Sequence, residues 1–147
     1  MIHFEDYELG QARTIGSYQV SKDEIVEFAE RYDPQPFHVD EAAARESIFG
    51  GLTASSCHTF ALMGLIHSRH AEKAALVANL GAESLKFPSP VRPDDTLTLS
   101  NECVDKRVSK SRPTIGIVTS RSMLLNQRNE VVMDMLTKYM VQRRPGG

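Results

Sequence analysis

Residues 54–71, ASSCHTFALMGLIHSRHA, decide the fold of this chain because they form its most apolar helix candidate. Their apolar side chains are spread around most of the helix circumference instead of lying along one stripe. A helix apolar on nearly all sides is normally surrounded by other structure, so we expect this one at the centre of the domain. The pair Gly50-Gly51 marks the break that precedes it.

Four segments after this helix have the composition of strands. They are rich in β-forming residues and contain stretches in which apolar and polar side chains alternate. The segments are 80–87, 96–104, 114–125 and 131–141. Turn-forming residues separate them at Pro93-Asp94-Asp95 and at Asn126-Gln127-Arg128-Asn129. This order predicts an α+β fold in which an antiparallel sheet curls around the central helix.

The segment before the central helix predicts a strand followed by a capped helix. Residues 12–20 carry spaced apolar side chains typical of a strand. Ser21 and Glu24 then match a capping box, in which each side chain accepts a hydrogen bond from the other residue's backbone N–H. Apolar residues recur behind them at helical spacing, so we expect a helix that begins after Ser21.

Two prolines shape the connection that follows. This helix has to end near Asp33, because Pro34 disfavours helical backbone at the residue before it. Pro34 and Pro36 favour an extended loop that reaches Asp40. Asp40 is a predicted N-cap for a short helix over 41–46.

Length, charge and cysteine content restrict the class of protein. The chain has 147 residues, which fit a single domain, 1–147, and residues 143–147 have the composition of a flexible tail. Its 17 Lys and Arg against 19 Asp and Glu give a net charge of −2, so no basic excess favours a nucleic-acid partner. No apolar run approaches the ~20 residues of a membrane span, and the acidic start differs from a signal peptide. We expect a cytoplasmic protein that binds no membrane.

The cysteines and histidines predict no metal site. Cys57 and Cys103 have the spacing of neither a disulfide framework nor a metal-binding motif. His67 and His70 lie one turn apart, with His58 upstream, but no Cys, Asp or Glu completes a recognised ligand spacing.

Several motifs together resemble those of the MaoC-like dehydratases, a family with the hot-dog fold that includes the (R)-specific enoyl-CoA hydratases. The motifs are Asp33-Pro34-x-Pro36-x-His38-x-Asp40, Phe4-Glu5-Asp6-Tyr7-x-x-Gly10, Phe49-Gly50-Gly51-Leu52, Phe87-x-x-Pro90-Val91-x-Pro93-x-Asp95-Thr96-Leu97 and Asn126-Gln127-x-x-Glu130-x-Val132. They extend over nearly the whole chain. The resemblance therefore implies a hot-dog fold for the entire domain.

The resemblance also implies that Asp33 and His38 are the acid/base pair of a hydratase. Adding water to an α,β-unsaturated thioester requires a base for the proton of water and an acid for the α-carbon. The two residues lie on a loop stiffened by prolines, and the preceding helix C-terminus disfavours a negative charge at Asp33. The sequence leaves open which residue makes which proton transfer.

A third requirement is a donor for the enolate-like oxygen of the thioester. Helix N-termini expose unpaired N–H groups and a partial positive charge. We therefore expect the backbone N–H of Ser56 to donate a hydrogen bond to this oxygen. Family hydratases often carry a His-Gly pair here, where this chain has Ser55-Ser56. Candidates for lining the substrate site are Phe37, Ser55, Cys57 and His58. Asp40 is expected to cap a helix and not to catalyse.

The implied substrate is a thioester of coenzyme A or of an acyl carrier, with no other cofactor. Family members pair through their sheets, which implies a homodimer or a dimer of dimers. Two alternatives remain open at this point. One is a hot-dog thioesterase that hydrolyses acyl-CoA, and the other is a binding module that holds acyl-CoA without turnover.

Overall fold

The computed structural model describes residues 1–146 and contains five strands and four α-helices. The helices are α1 (Lys22–Tyr32), α2 (Pro36–Val39), α3 (Glu41–Glu46) and α4 (Ser56–Arg69). The strands are β1 (Ala12–Gln19), β2 (Leu76–Lys86), β3 (Thr96–Val108), β4 (Ile115–Leu125) and β5 (Val131–Gln142). A short 3-10 helix, Phe4–Asp6, precedes them.

All five strands form one antiparallel sheet in the order β1-β3-β4-β5-β2, with α4 packed against one face. This arrangement confirms the predicted α+β class and the sheet built around a central helix. The main core lies between the helices and that face, and its fully buried members include Ile25, Leu97, Leu99, Leu124 and Met133. The α1 helix packs against α4, and α2 is hydrogen-bonded to Thr53 in the segment that precedes α4, so both lie next to the candidate site.

The strand predictions are confirmed, with two strands longer than expected. β2 begins at Leu76 instead of residue 80, and β3 continues to Val108 instead of ending at 104. Both extensions carry residues exposed on their outer side, so their apolar–polar alternation is weak. Their strand conformation comes from pairing with β5 and β4, which a single segment of sequence does not reveal.

The prediction that structure surrounds α4 on nearly all sides is wrong for a single chain. Its inner face is buried through His58, Thr59, Leu62 and Ile66. The opposite face is exposed, and it carries Ser56, Cys57, Phe60, Ala61 and Gly64. The open sheet does not close over this side of the helix. We call these five exposed residues the open face of α4.

Strand β2 is one edge of the sheet and lies largely in contact with solvent. Leu76, Val77, Leu80 and Leu85 are each more than two-fifths exposed. The pairing of β2 with β5 has three register shifts along its length. An exposed apolar edge strand is a template for pairing with another chain.

The N-terminus of α1 confirms one half of the predicted capping box. The Ser21 side chain accepts a hydrogen bond from the Glu24 N–H at 3.1 Å, as an N-cap does. The Glu24 carboxylate does not return to Ser21. It accepts a hydrogen bond from the Tyr18 hydroxyl at 2.9 Å and lies 3.4 Å from His58 Nε2. Glu24 therefore joins β1, α1 and α4.

The expected extended loop between Pro34 and Asp40 is partly wrong. Residues 36–39 form the single helical turn α2, with Pro36 in its first turn. Proline suits this position because its fixed φ is helical and its missing N–H would have no partner there. Asp40 is confirmed as the N-cap of α3, since its carboxylate accepts hydrogen bonds from the N–H groups of Ala42 and Ala43.

The C-terminal segment is held to the N-terminal 3-10 helix. Arg143 Nε lies 3.1 Å from Glu5 Oε1, and Arg144 Nη2 lies 2.6 Å from Asp6 Oδ1. The predicted flexible tail thus begins with two anchored residues, and Gly147 lies outside the described residues. Among the helices of residues 1–146, none combines the length and hydropathy that crossing a bilayer requires.

Candidate active site

Asp33 and His38 come together as the sequence predicts. Asp33 is the C-cap of α1, and His38 lies on α2. His38 Nε2 is 3.4 Å from Asp33 Oδ2. The His38 side chain is 7% exposed and the Asp33 side chain 26%, so the carboxylate is the member of the pair that a substrate can reach.

The surroundings of His38 determine which of its nitrogens faces Asp33 as an acceptor. His38 Nδ1 lies 2.6 Å from the carbonyl oxygen of Thr53. Because a carbonyl only accepts, Nδ1 carries a proton, and a neutral ring then presents an unprotonated Nε2 to Asp33. Nε2 and the carboxylate face each other across 3.4 Å, a separation over which a proton or a bridging water can link them.

Ser55 binds the Asp33 carboxylate directly. Its hydroxyl donates a hydrogen bond to Asp33 Oδ2 at 2.7 Å and accepts one from the Cys57 N–H at 3.1 Å. Ser55 is the N-cap of α4 and is fully buried. One serine therefore caps the central helix and fixes the orientation of Asp33.

Ser56, the predicted oxyanion donor, follows Ser55 at the start of α4. It is the first residue of α4 and is exposed. The N–H groups of the first helical turn have no acceptor within the helix, and the helix dipole places a partial positive charge there. The Ser56 N–H is thus adjacent to Ser55 and available to a ligand at the edge of the site.

The remaining residues predicted to line the substrate site, besides Ser55, differ in their surroundings. The Phe37 ring packs against the His38 ring, with centroids 4.5 Å apart, and lies near the pair. Cys57 is exposed on the open face of α4. His58 is buried and turned toward α1, where it stacks on Phe28 at a centroid distance of 4.5 Å. Its contacts are those of a core histidine.

Burial also controls the charge of His58. Desolvation lowers the pKa of His58 below the ordinary imidazole value, and the nearby Glu24 carboxylate opposes part of this effect. Its Nδ1 has no hydrogen-bond partner in the described chain. His58 therefore stays neutral near pH 7 and donates from Nε2 to Glu24.

Two hydrogen bonds of the site were not predicted from the sequence. The bond between Ser55 and Asp33 joins residues 22 positions apart, and the bond between His38 and the Thr53 carbonyl joins residues 15 positions apart. The only local signal for either is Ser55 as an N-cap candidate before an apolar helix. No cluster of three His, Cys, Asp or Glu residues suited to a metal ion occurs within residues 1–146.

With this geometry in place, comparison with known proteins defines the class. The family described as the MaoC like domain matches residues 6–123. The chain therefore belongs to the MaoC-like family, and its sheet and central helix form the hot-dog fold.

Individual proteins similar to this chain are consistent with that assignment. The crystal structure of a MaoC-like dehydratase from Rhodospirillum rubrum has a TM-score of 0.92 and 41% identity, covering 99% of each chain. The uncharacterized protein YdeM of Bacillus subtilis is 30% identical over 95% of this chain and 98% of its own length. The beta-methylmalyl-CoA dehydratase of Chloroflexus aurantiacus is 24% identical over 96% of this chain, which spans 40% of that longer protein.

Proposed function

We propose that the protein adds water to a trans-2-enoyl thioester to give an (R)-3-hydroxyacyl thioester, and catalyses the reverse dehydration. The observation that carries this proposal is the 3.4 Å contact between Asp33 and His38, with Ser55 bound to the same carboxylate. The family assignment supports a hydro-lyase. Placement of the pair beside a helix N-terminus supports a substrate whose carbonyl oxygen gains negative charge.

Each part of the candidate site has a role in the proposed reaction. Asp33 and His38 orient a water molecule, whose oxygen bonds to C3 of the enoyl group as its proton passes to the pair. Electron density moves from the double bond to the thioester oxygen, which accepts a hydrogen bond from the Ser56 N–H. The pair then returns one proton to C2. Removing one oxyanion-hole donor costs about 2.7–4 kcal/mol in an enzyme where a side chain supplies it.

The handle of the proposed substrate is coenzyme A or the pantetheine arm of an acyl carrier. The Chloroflexus aurantiacus relative is named for a CoA ester, which supports the first of these. All proton transfers are assigned to side chains, so we propose no metal and no organic cofactor beyond coenzyme A itself. We place the reaction in the cytoplasm.

We further propose that two copies pair, as a homodimer or a dimer of dimers. The open face of α4 carries Phe60, which is 42% exposed, and β2 is an apolar edge strand. Both features require cover that one chain does not provide. Pairing there also encloses the exposed side of the site next to Ser56.

The central experiment measures the loss of enoyl absorbance from a short trans-2-enoyl-CoA ester. Asp33→Asn and His38→Ala are each expected to reduce the rate about 10²–10⁴-fold while the protein stays folded. Asp40→Asn is the matched control, because Asp40 undergoes the same chemical change and asparagine caps a helix about as well. Full activity in either variant of the pair would contradict the proposal.

Two other results would select the alternative functions. Release of free thiol from a saturated acyl-CoA, without hydration of the enoyl ester, would indicate a thioesterase. Affinity for the CoA ester with no change in absorbance or thiol would indicate a binding module. Separating product enantiomers tests the stereochemistry.

A further inference from the structure

A cavity of about 610 Å³ lies between the C-terminal half of α4 and the sheet. The helix contributes Met63, Gly64 and His67 to its wall, and all five strands contribute as well. Gly64 leaves room at this point, since a Cβ placed there would meet nothing within 4 Å. Asp33 and His38 are not among the residues of this wall, because they lie at the other end of α4.

The sheet changes from apolar to polar where it faces this cavity. Three cross-strand rows follow one another on its inner face, each with one residue from β3, β4 and β5. They are Leu99–Leu124–Met133, Asn101–Ser122–Met135 and Cys103–Ser120–Thr137. The first row is fully buried in the core. The second and third line the cavity and bring four side chains with hydroxyl or amide groups.

Two of these polar groups lack a partner in the described chain. Thr137 is 7% exposed, and its hydroxyl oxygen makes no hydrogen bond. Asn101 places its amide nitrogen 3.1 Å from His67 Nε2, which leaves its carbonyl oxygen Oδ1 unpaired. An unpaired buried polar group costs about 1–3 kcal/mol, so a guest that supplies the missing bonds is favoured. Both oxygen atoms are buried, so the Thr137 and Asn101 side chains would have to rotate to present them to such a guest.

The missing bonds define the chemistry of that guest. Asn101 Oδ1 needs a donor, and the Thr137 hydroxyl can donate or accept. A hydroxyl group on the guest satisfies both requirements, whereas a hydrocarbon satisfies neither. The remaining wall includes Ile15, Met63 and Met135, which suit the apolar part of the same molecule.

Symmetric pairing of two chains connects the cavity with the proposed catalytic site. His67 lies twelve residues beyond Ser55, about 18 Å along a helix. Within one chain, the cavity is therefore distant from the proposed catalytic site. In the proposed pair, a two-fold axis that crosses the open face at a right angle to α4 would make the two helices antiparallel. The N-terminus of one α4 would then approach the C-terminal half of the other, where Gly64 and Ser68 border the cavity.

We infer that this cavity receives the acyl chain of the substrate and selects a chain that carries a hydroxyl group. The inference rests on the proposed function and adds the substrate class. It assigns Thr137 and Asn101 as specificity-determining residues. In this assignment the polar rows of the sheet replace the hydrocarbon-lined wall that a simple fatty acyl chain would require.

The experiment compares two esters of equal chain length, trans-2-hexenoyl-CoA and its 6-hydroxy derivative. We expect kcat/KM to be at least about tenfold higher for the hydroxylated ester, the effect of one or two net hydrogen bonds. Thr137→Val, which keeps the side-chain shape, is expected to reduce that preference about three- to tenfold.

Thr119→Val is the matched control. Thr119 is also a buried threonine of the sheet, but it does not line the cavity. Asn101→Leu is the second cavity variant, for use if Thr137→Val fails to fold. Equal kcat/KM for the two esters, or a preference unchanged in the cavity variants, would overturn the inference alone. Hydration of neither ester would remove the proposed function and this inference with it.

Discussion

The Ser55 hydroxyl donates a 2.7 Å hydrogen bond to Asp33, so the residue that caps α4 also holds the carboxylate at the end of α1. Two helix ends that meet in this way fix the position of the carboxylate relative to the N–H groups of α4. Any displacement of α1 along α4 therefore changes the proposed acid/base pair and the oxyanion donor together.

The first prediction concerns this shared role of Ser55. Ser55→Ala removes both the cap and the bond to Asp33. We expect a loss of about 0.5–2 kcal/mol in the free energy of unfolding and a fall of about tenfold or more in kcat. Ser21→Ala is the matched control, since Ser21 caps α1 through the same type of bond but does not contact Asp33. Equal activity in the two variants would show that Ser55 only caps.

The second prediction concerns the pH dependence of stability. Burial lowers the pKa of His58 and of His67, so both histidines stay neutral in the folded protein at pH values where they would charge in the unfolded chain. Their contribution to stability is present above the unfolded value of 6.5 and is lost as the pH falls through the lower folded pKa.

Urea unfolding followed from about pH 7.5 to about pH 5 checks this expectation. His58→Gln should flatten the acid side of the profile, because glutamine does not titrate. Glu24→Gln should steepen it, since Glu24 is the group that favours the charged imidazole. Profiles that match the unmodified protein would rule out His58 as a source of acid sensitivity.

The third prediction concerns the contact between the 3-10 helix and β4. A Cβ added at Gly116 would overlap the ring of Phe4. Gly116→Ala is therefore expected to lower the free energy of unfolding by about 1–3 kcal/mol, as overpacking of a core does. Combining it with Phe4→Leu should restore part of that loss in a double-mutant cycle. Additive losses would show that the cost of the added methyl group does not come from the Phe4 ring.

The fourth prediction concerns the edge strand. Leu80→Lys places a charge on β2, where Leu80 is 49% exposed, and should dissociate the proposed pair of chains. Val104→Lys is the control, since Val104 is 41% exposed but lies on β3, inside the sheet. Sedimentation or light scattering distinguishes the two. An unchanged mass in Leu80→Lys would place the pairing surface elsewhere.

Local signals in the sequence were sufficient for the ends of the helices. Ser21 and Asp40 cap the helices that they were predicted to cap, because a capping bond joins residues two or three positions apart. The limits of β1, β4 and β5 were also predicted to within one residue. The capping residue Ser21 follows the end of β1, and the turn residues 126–129 separate β4 from β5.

Features that depend on distant parts of the chain could not be predicted. Glu24 has the spacing of a capping box, yet its carboxylate goes to Tyr18 and His58 because they lie within reach after folding. The open face of α4 was expected to be buried because apolar residues are spread around most of the helix, yet it is exposed in the single chain. The site was predicted as a pair, Asp33 and His38, but not the Ser55 and Thr53 groups that orient them.

The ion pairs of Arg143 with Glu5 and of Arg144 with Asp6 bring the two ends of the described chain side by side. A short peptide linker can therefore join them, and new ends can be opened in an exposed turn such as residues 110–113. Such a circular permutant would keep every strand neighbour of the sheet. It offers a way to carry fused domains on the side of the molecule away from the candidate site.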